Sequence, residues 1–242
     1  MESIEFTKPN EENYFYNEAI KKLRTNIQFS GNDVQVIAIT SSFPSEGKTS
    51  VTIELAHSFS QIGKKTVVLD ADIRKSVMVA RLNVRQQTQG LSEYLSGQCA
   101  MEDIIYSTNF PNLDFVFAGR YSPSSADLLE GELLTDLIGH LRETYDYIFV
   151  DTAPVVAVTD GTIVAKHCDG VLLVIESGKT SYKVLQRVKE QLQATGTKIL
   201  GTVLNKVDGY QDSYYGRYGR YGKYGKYGKY GKYGKYEMDI RY

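Results

Sequence analysis

Five side chains in this sequence have the types and spacing to handle a phosphate ester: Lys48, Thr49, Asp70, Asp72 and Asp151. Gly47-Lys48-Thr49 follows the β-branched run Val34–Thr40 and opens a helical pattern. Strand, loop, then G-K-[ST] at a helix start is the layout of a phosphate-binding loop, or Walker A motif. Backbone N–H groups at a helix start point at an anion, and the helix dipole favours negative charge there. Gly47 lets the backbone approach a phosphate. Ser45, Glu46, Gly47, Lys48, Thr49 and Ser50 would line the nucleotide. Lys48 would bridge its β- and γ-phosphates, and the Thr49 hydroxyl would face Mg²⁺. The first glycine of G-x-x-x-x-G-K-[ST] is replaced by Ser42.

The aspartates end apolar runs: VVLDAD closes on Asp70 and Asp72, and YIFVDTAP carries Asp151. Carboxylates at strand ends beside a phosphate loop supply the oxygen ligands of a hard cation. Asp72 and Asp151 are the metal-linked pair with Thr49. Asp70 or Asp72 would act as a base, and Lys48 would neutralise developing charge, which makes Lys48, Asp70 and Asp72 the catalytic set. Asn205, at the end of the last apolar run, has an amide that fits an adenine edge or a turn.

These residues need a scaffold that brings strand ends together. Tyr14–Phe29 reads as a helix with Phe15, Ala19, Leu23 and Ile27 on one face and Glu18, Lys21 and Arg24 on another. Strands are expected at Val34–Thr40, Thr66–Asp70, Leu113–Ala118, Tyr147–Asp151, Val171–Glu176 and Lys198–Asn205. Helices are expected at Thr49–Ile62, Asp127–Thr144, Thr159–Lys166 and Lys183–Ala194, with helical turns over 76–110. The alternation predicts an α/β fold: a P-loop NTPase-like, mostly parallel sheet flanked by helices. Ligands of such sheets bind at the carboxyl ends of the strands. Residues 1–12 read as disordered.

The chain has 242 residues and a net charge of −1, unevenly spread. From Tyr210 to Tyr242 the charge is +5, and eleven of the nineteen tyrosines lie there. The remainder carries −6. From Tyr215 to Tyr236 the repeat Y-G-K or Y-G-R has period three, which suits neither helix nor strand. The division is therefore a domain over 1–208, including the helix 14–29, and a flexible, disordered tyrosine-rich tail over 209–242. Cys99 and Cys168 lack metal-like spacing and read as reduced, partly buried thiols of a cytosolic protein. No apolar run approaches a membrane span, and the polar N-terminus is no signal peptide.

Together these residues resemble the bacterial tyrosine kinases (BY-kinases), specifically the cytoplasmic kinase subunit of Gram-positive capsule and exopolysaccharide systems. The family's Walker A corresponds to Ser42–Thr49, its Walker A′ to Val67–Asp72, its Walker B to Ile148–Asp151 and its tyrosine cluster to Tyr210–Tyr242. Its oligomerisation motif E-x-x-R-x-x-R appears as Glu18-x-x-Lys21-x-x-Arg24, where Lys21 keeps charge but loses bidentate geometry. The resemblance implies ATP- and Mg²⁺-dependent autophosphorylation on Tyr215, Tyr218, Tyr221, Tyr224, Tyr227, Tyr230, Tyr233 and Tyr236. It implies a separate membrane-spanning modulator that recruits the kinase to the inner face of the membrane, and a ring-like homo-oligomer when unphosphorylated. No nucleic-acid partner is expected. The rival is a partitioning-type ATPase whose basic aromatic tail binds nucleic acid. Phe43 stands where that branch carries its signature lysine.

Overall fold

The computed structural model describes residues 3–5, 14–31, 33–84, 86 and 88–207. The tyrosine repeat and its phosphoacceptor candidates, Tyr215 to Tyr236, lie outside the described residues.

The strands are β1 (Ser3–Ile4), β2 (Val36–Ser41), β3 (Thr66–Asp70), β4 (Ile105–Thr108), β5 (Leu113–Val116), β6 (Tyr147–Asp151), β7 (Gly170–Glu176) and β8 (Lys198–Asn205). The helices are α1 (Tyr14–Gln28), α2 (Lys48–Ser60), α3 (Met78–Arg81), α4 (Leu91–Leu95), α5 (Ser125–Glu130), α6 (Glu132–Thr144), α7 (Asp160–Ala165) and α8 (Tyr182–Gln193). The eight strands form one sheet in the order β1-β4-β5-β3-β6-β2-β7-β8. The β4–β5 pair is antiparallel and every other pair is parallel.

The central strands read as unbroken apolar runs because both faces are covered. Val36, Ala38, Val67, Leu69, Ile148 and Val150 face a core built with α4 to α8. Ile37, Ile39, Val68, Phe115 and Phe149 face the opposite core, closed by Ile27 of α1, Val51, Leu55 and Phe59 of α2, and Met78 of α3. On α6, Leu134, Leu137, Ile138 and Leu141 make the buried stripe at helical spacing. Helix α2 is buried at every position except Ser50, so it is a core element rather than a surface helix. No helix among the described residues is long and apolar enough to cross a membrane. Cys99 is half-buried, Cys168 is buried, and both are free.

Four expectations change. Residues 1–12 are not wholly irregular: Ser3 and Ile4 pair with Ser107 and Thr108, and Ile4 is buried. The stretch 76–110 holds β4 as well as helical turns, since Ile105 and Tyr106 pair with Val116 and Phe115. The helix expected over 127–144 is two, α5 and α6, divided at Gly131, whose extended ψ of 158° interrupts it. On α1, Phe15 and Ala19 face outward while Ile20 and Ile27 are buried. The sequence offers two overlapping apolar stripes there. The inward one also carries Arg24, whose Nη1 donates to the Ser58 carbonyl at 2.7 Å and to its Oγ at 3.0 Å.

Candidate active site

β2 lies between β6 and β7, so the chain leaves it in opposite directions on either side. Such a switch point opens a crevice at the carboxyl ends of the strands. The loop from β2 to α2 runs across it. Gly47 caps α2 with φ 97°, a left-handed conformation. A Cβ at that position would stand 2.1 Å from Asn205 Nδ2, so only glycine fits. Ser45 also has positive φ, 68°.

β3 and β6 are neighbours, with Asp70 paired to Asp151 in register, so their ends deliver three carboxylates beside α2. Lys48 Nζ lies 3.1 Å from Asp72 Oδ2 and 3.5 Å from Asp151 Oδ1. Thr49 Oγ1 donates to Asp151 Oδ2 at 2.6 Å. Lys48, Asp70, Asp72 and Asp151 are all buried. The structure thus unites the catalytic and metal-linked residues expected from sequence.

Burial sets the electrostatics. Asp70 is fully enclosed, and desolvation, with the Asp151 charge added, pushes its carboxyl up to about 8 despite a hydrogen bond from Ser76 Oγ. Burial also raises Asp151 above the usual range, with Lys48 and the Thr49 hydroxyl opposing. For Lys48, burial disfavours the charged form, but Asp151, Asp72 and Asp70 outweigh it and raise the ammonium above its ordinary value. One cation therefore sits among three carboxyls.

The site fits a metal-complexed nucleotide. Ser42, standing where the motif's first glycine would be, is buried, and its hydroxyl has no hydrogen-bond partner among the described residues. Thr49, Asp72 and Asp151 are the hard oxygen donors present. No group of three ligating acidic, imidazole or thiol side chains converges among the described residues. Mg²⁺ takes one or two carboxylates and fills its remaining positions with phosphate oxygens and water, and Asp72 and Asp151 beside the Thr49 hydroxyl are donors of that kind.

Other expected residues are placed differently. The buried Glu46 has its carboxylate taken by neighbours. Its Oε2 accepts from Phe43 N at 2.8 Å, and its Oε1 accepts from Thr180 Oγ1 and, at 3.4 Å, from Glu176 N. The Ser50 hydroxyl accepts from Arg81 Nη1 on α3. Asn205 Nδ2 donates to the Glu46 carbonyl at 2.9 Å, bracing the loop. Glu18 and Lys21 pair on α1 at 2.8 Å, and Arg24 meets Ser58, ten residues along α2 and about 15 Å from its start. This trio is apart from the site.

Sequence reasoning missed the supporting residues. Arg74 forms a two-pronged pair with the buried Asp160, Nε to Oδ2 at 2.7 Å and Nη2 to Oδ1 at 3.2 Å, and Ser125 Oγ adds a bond at 2.7 Å. Arg74 lies two residues after Asp72, and that proximity was the available signal. Thr180 and Lys206 carried none.

The chain matches the AAA domain family over residues 34–202. It is 42% identical over 214 residues to the tyrosine-protein kinase CpsD of Streptococcus pneumoniae, covering 88% of this chain and 92% of that protein. It is 35% identical over 201 residues to the tyrosine-protein kinase YwqD of Bacillus subtilis strain 168, covering 82% of this chain and 84% of that one. The crystal structure of the chimerical protein CapA2B2 superimposes with a TM-score of 0.77 at 31% identity, over 85% of this chain and 93% of the other. The septum site-determining protein MinD of Pyrococcus horikoshii OT3, solved with Mg-ADP, is a more distant neighbour, with a TM-score of 0.61 at 25% identity over 70% of this chain and 69% of that one.

Proposed function

The chain belongs to the bacterial tyrosine-protein kinases, and on that premise we propose that it uses Mg²⁺-bound ATP to phosphorylate its own C-terminal tyrosines, in trans between copies, to regulate capsular or exopolysaccharide polymerisation and export. One observation carries this reading: Lys48 and Thr49 of the phosphate loop converge on Asp72 and Asp151. The same chain presents a tyrosine at every third position from Tyr215 to Tyr236.

Each residue has a role in this proposal. Lys48 leaves its carboxylates to bridge the β- and γ-phosphates. Ser45, Gly47, Thr49 and their neighbours wrap the phosphate chain with backbone N–H groups. Thr49, Asp72 and Asp151 would hold Mg²⁺, which when bound would supply positive charge against the transferred phosphoryl group. The acceptor phenol has an unperturbed pKa of about 10 and needs a base at neutral pH. Asp70, which ends β3 in register with Asp151, is the proposed base. Asp72, beside Lys48, is the alternative base. The phenol oxygen bonds to the γ-phosphorus, the bond to the β–γ bridging oxygen breaks, ADP leaves, and the phenolic proton passes to the carboxylate.

The proposal treats residues to 208 as the kinase domain and 209–242 as its substrate tail. A Gly-rich coil of 33 residues has a root-mean-square span of about 30 Å, enough to reach a neighbouring copy. Glu18, Lys21 and Arg24 would join copies in a ring-like assembly. A separate membrane-spanning modulator would recruit the kinase to the inner face of the membrane.

Incubating the full chain with labelled ATP and Mg²⁺, with and without a candidate activator peptide, tests the reading. Label should map to tail tyrosines and fall at least about 100-fold in Lys48→Met. ATP turnover without protein label, stimulated by DNA, would instead support a partitioning ATPase.

A further inference from the structure

Among the described residues four that are not glycine hold positive φ: Ser45, Asn83, Asn112 and Lys206. Asparagine enters this region readily, because its short amide can bond locally. Serine and lysine are held there by their surroundings. These two are bonded to each other: Lys206 Nζ donates to the Ser45 carbonyl at 2.7 Å, with φ of 68° at Ser45 and 54° at Lys206.

Ser45 lies in the outer turn of the phosphate loop. Lys206 directly follows β8, at the root of the segment that leads to the tyrosine repeat. The contact is reinforced on both sides. Asn205 Nδ2 holds the adjoining Glu46 carbonyl at 2.9 Å, and Lys206 Nζ also meets Glu176 Oε2 at 3.1 Å. Glu176 Oε1 is taken by Lys179. Backbone strain of this kind persists where neighbours over-determine it. Here each strained residue is a partner of the other.

We propose that Lys206 is a positioning residue of the phosphate loop. It clasps the loop's outer turn to the root of the tail, so that loop geometry, and with it nucleotide affinity, depends on where that root sits. The inference rests on the reading of the loop as the ATP site. By linkage the effect runs both ways: nucleotide in the loop favours the docked root, and a tail drawn away toward another copy weakens its own subunit's hold on nucleotide. A subunit acting as acceptor is thereby a poorer donor, which separates the two roles in a symmetric assembly.

Calorimetric titration of the full chain with a non-hydrolysable ATP analogue and Mg²⁺ tests this without relying on phosphorylation. Loss of one charge-assisted bond in Lys206→Met should weaken binding about three- to tenfold. Lys206→Arg, which keeps a donor, should recover most of it. A Fab raised against the Tyr-Gly-Lys repeat should raise the dissociation constant of the wild type and leave that of Lys206→Met unchanged. Equal dissociation constants for wild type and Lys206→Met overturn the proposal, as does a Fab effect of the same size in both. Unimpaired binding by Lys48→Ala would instead overturn the assignment of the nucleotide site.

Discussion

At the scale of single residues, burial and partners decide more than residue type. Asp169 shows this away from the active site. Its carboxylate takes both prongs of Arg142, at 2.9 and 2.7 Å, and the amides of Gln35 and Val36. Partial burial pulls its pKa up, but Arg142 and the two amides outweigh that and hold it below the usual carboxylate range. The folded state therefore prefers the ionised form. Its contribution is complete above the unfolded value of about 3.9 and is lost as pH falls through the lower folded value. Asp169→Asn should cost about 1–3 kcal/mol at pH 7, and the gap to wild type should narrow as pH falls through the lowered folded-state value. Urea unfolding of both proteins at several pH values reads this directly, and a constant gap would contradict it. Gly47 makes a second case. Gly47→Ala should weaken nucleotide binding at least about tenfold, through the left-handed backbone and the approach to Asn205. Adding Asn205→Ala should recover the steric part only, as titration of the single and double variants would reveal.

At the scale of elements, α2 joins loop to core. Phe59 near its end is fully buried, with its ring centroid 4.2 Å from Tyr147 and 5.3 Å from Phe149 on β6. Phe59→Ala should cost about 3–5 kcal/mol, read as a lowered midpoint of denaturant unfolding. The strand that holds Asp151 would loosen with it, so ATP affinity should fall as well. Elements of this buried kind were legible in the sequence. Thr66–Asp70 and Tyr147–Asp151 were bounded correctly, because apolar runs ending in Asp leave little choice of period, and the edge strand Lys198–Asn205 was too, although none of its residues is buried. β4 was not, since only Ile105 and Tyr106 mark it and its antiparallel partner is set by tertiary context. The same division holds in the site. Lys48, Thr49 and the aspartates announce themselves by spacing. The direction of the Glu46 carboxylate was not legible, because position within a motif says nothing about which way a side chain turns. Thr180 bonds it from 134 residues away, a distance that no local pattern spans.

At the scale of the whole molecule, charge separates the −6 body from the +5 tail. Each phosphotyrosine adds about −1.5 to −2, so roughly three phosphates cancel the tail's charge. If docking of tail on a neighbouring body holds copies together, phosphorylation should dissolve the assembly. Light scattering of unmodified and phosphorylated protein at several salt concentrations should show large, salt-sensitive assemblies only for the former. Identical size distributions would sink the idea. The two thiols noted in the fold have a practical consequence. Burial pushes Cys168 up to about 12 and also raises Cys99. Thiolate is the reactive species, so at neutral pH both are sluggish toward electrophiles. A cysteine engineered into the tail would thus be the preferred target of a maleimide dye, and the tail's travel can be followed by fluorescence on an otherwise native chain.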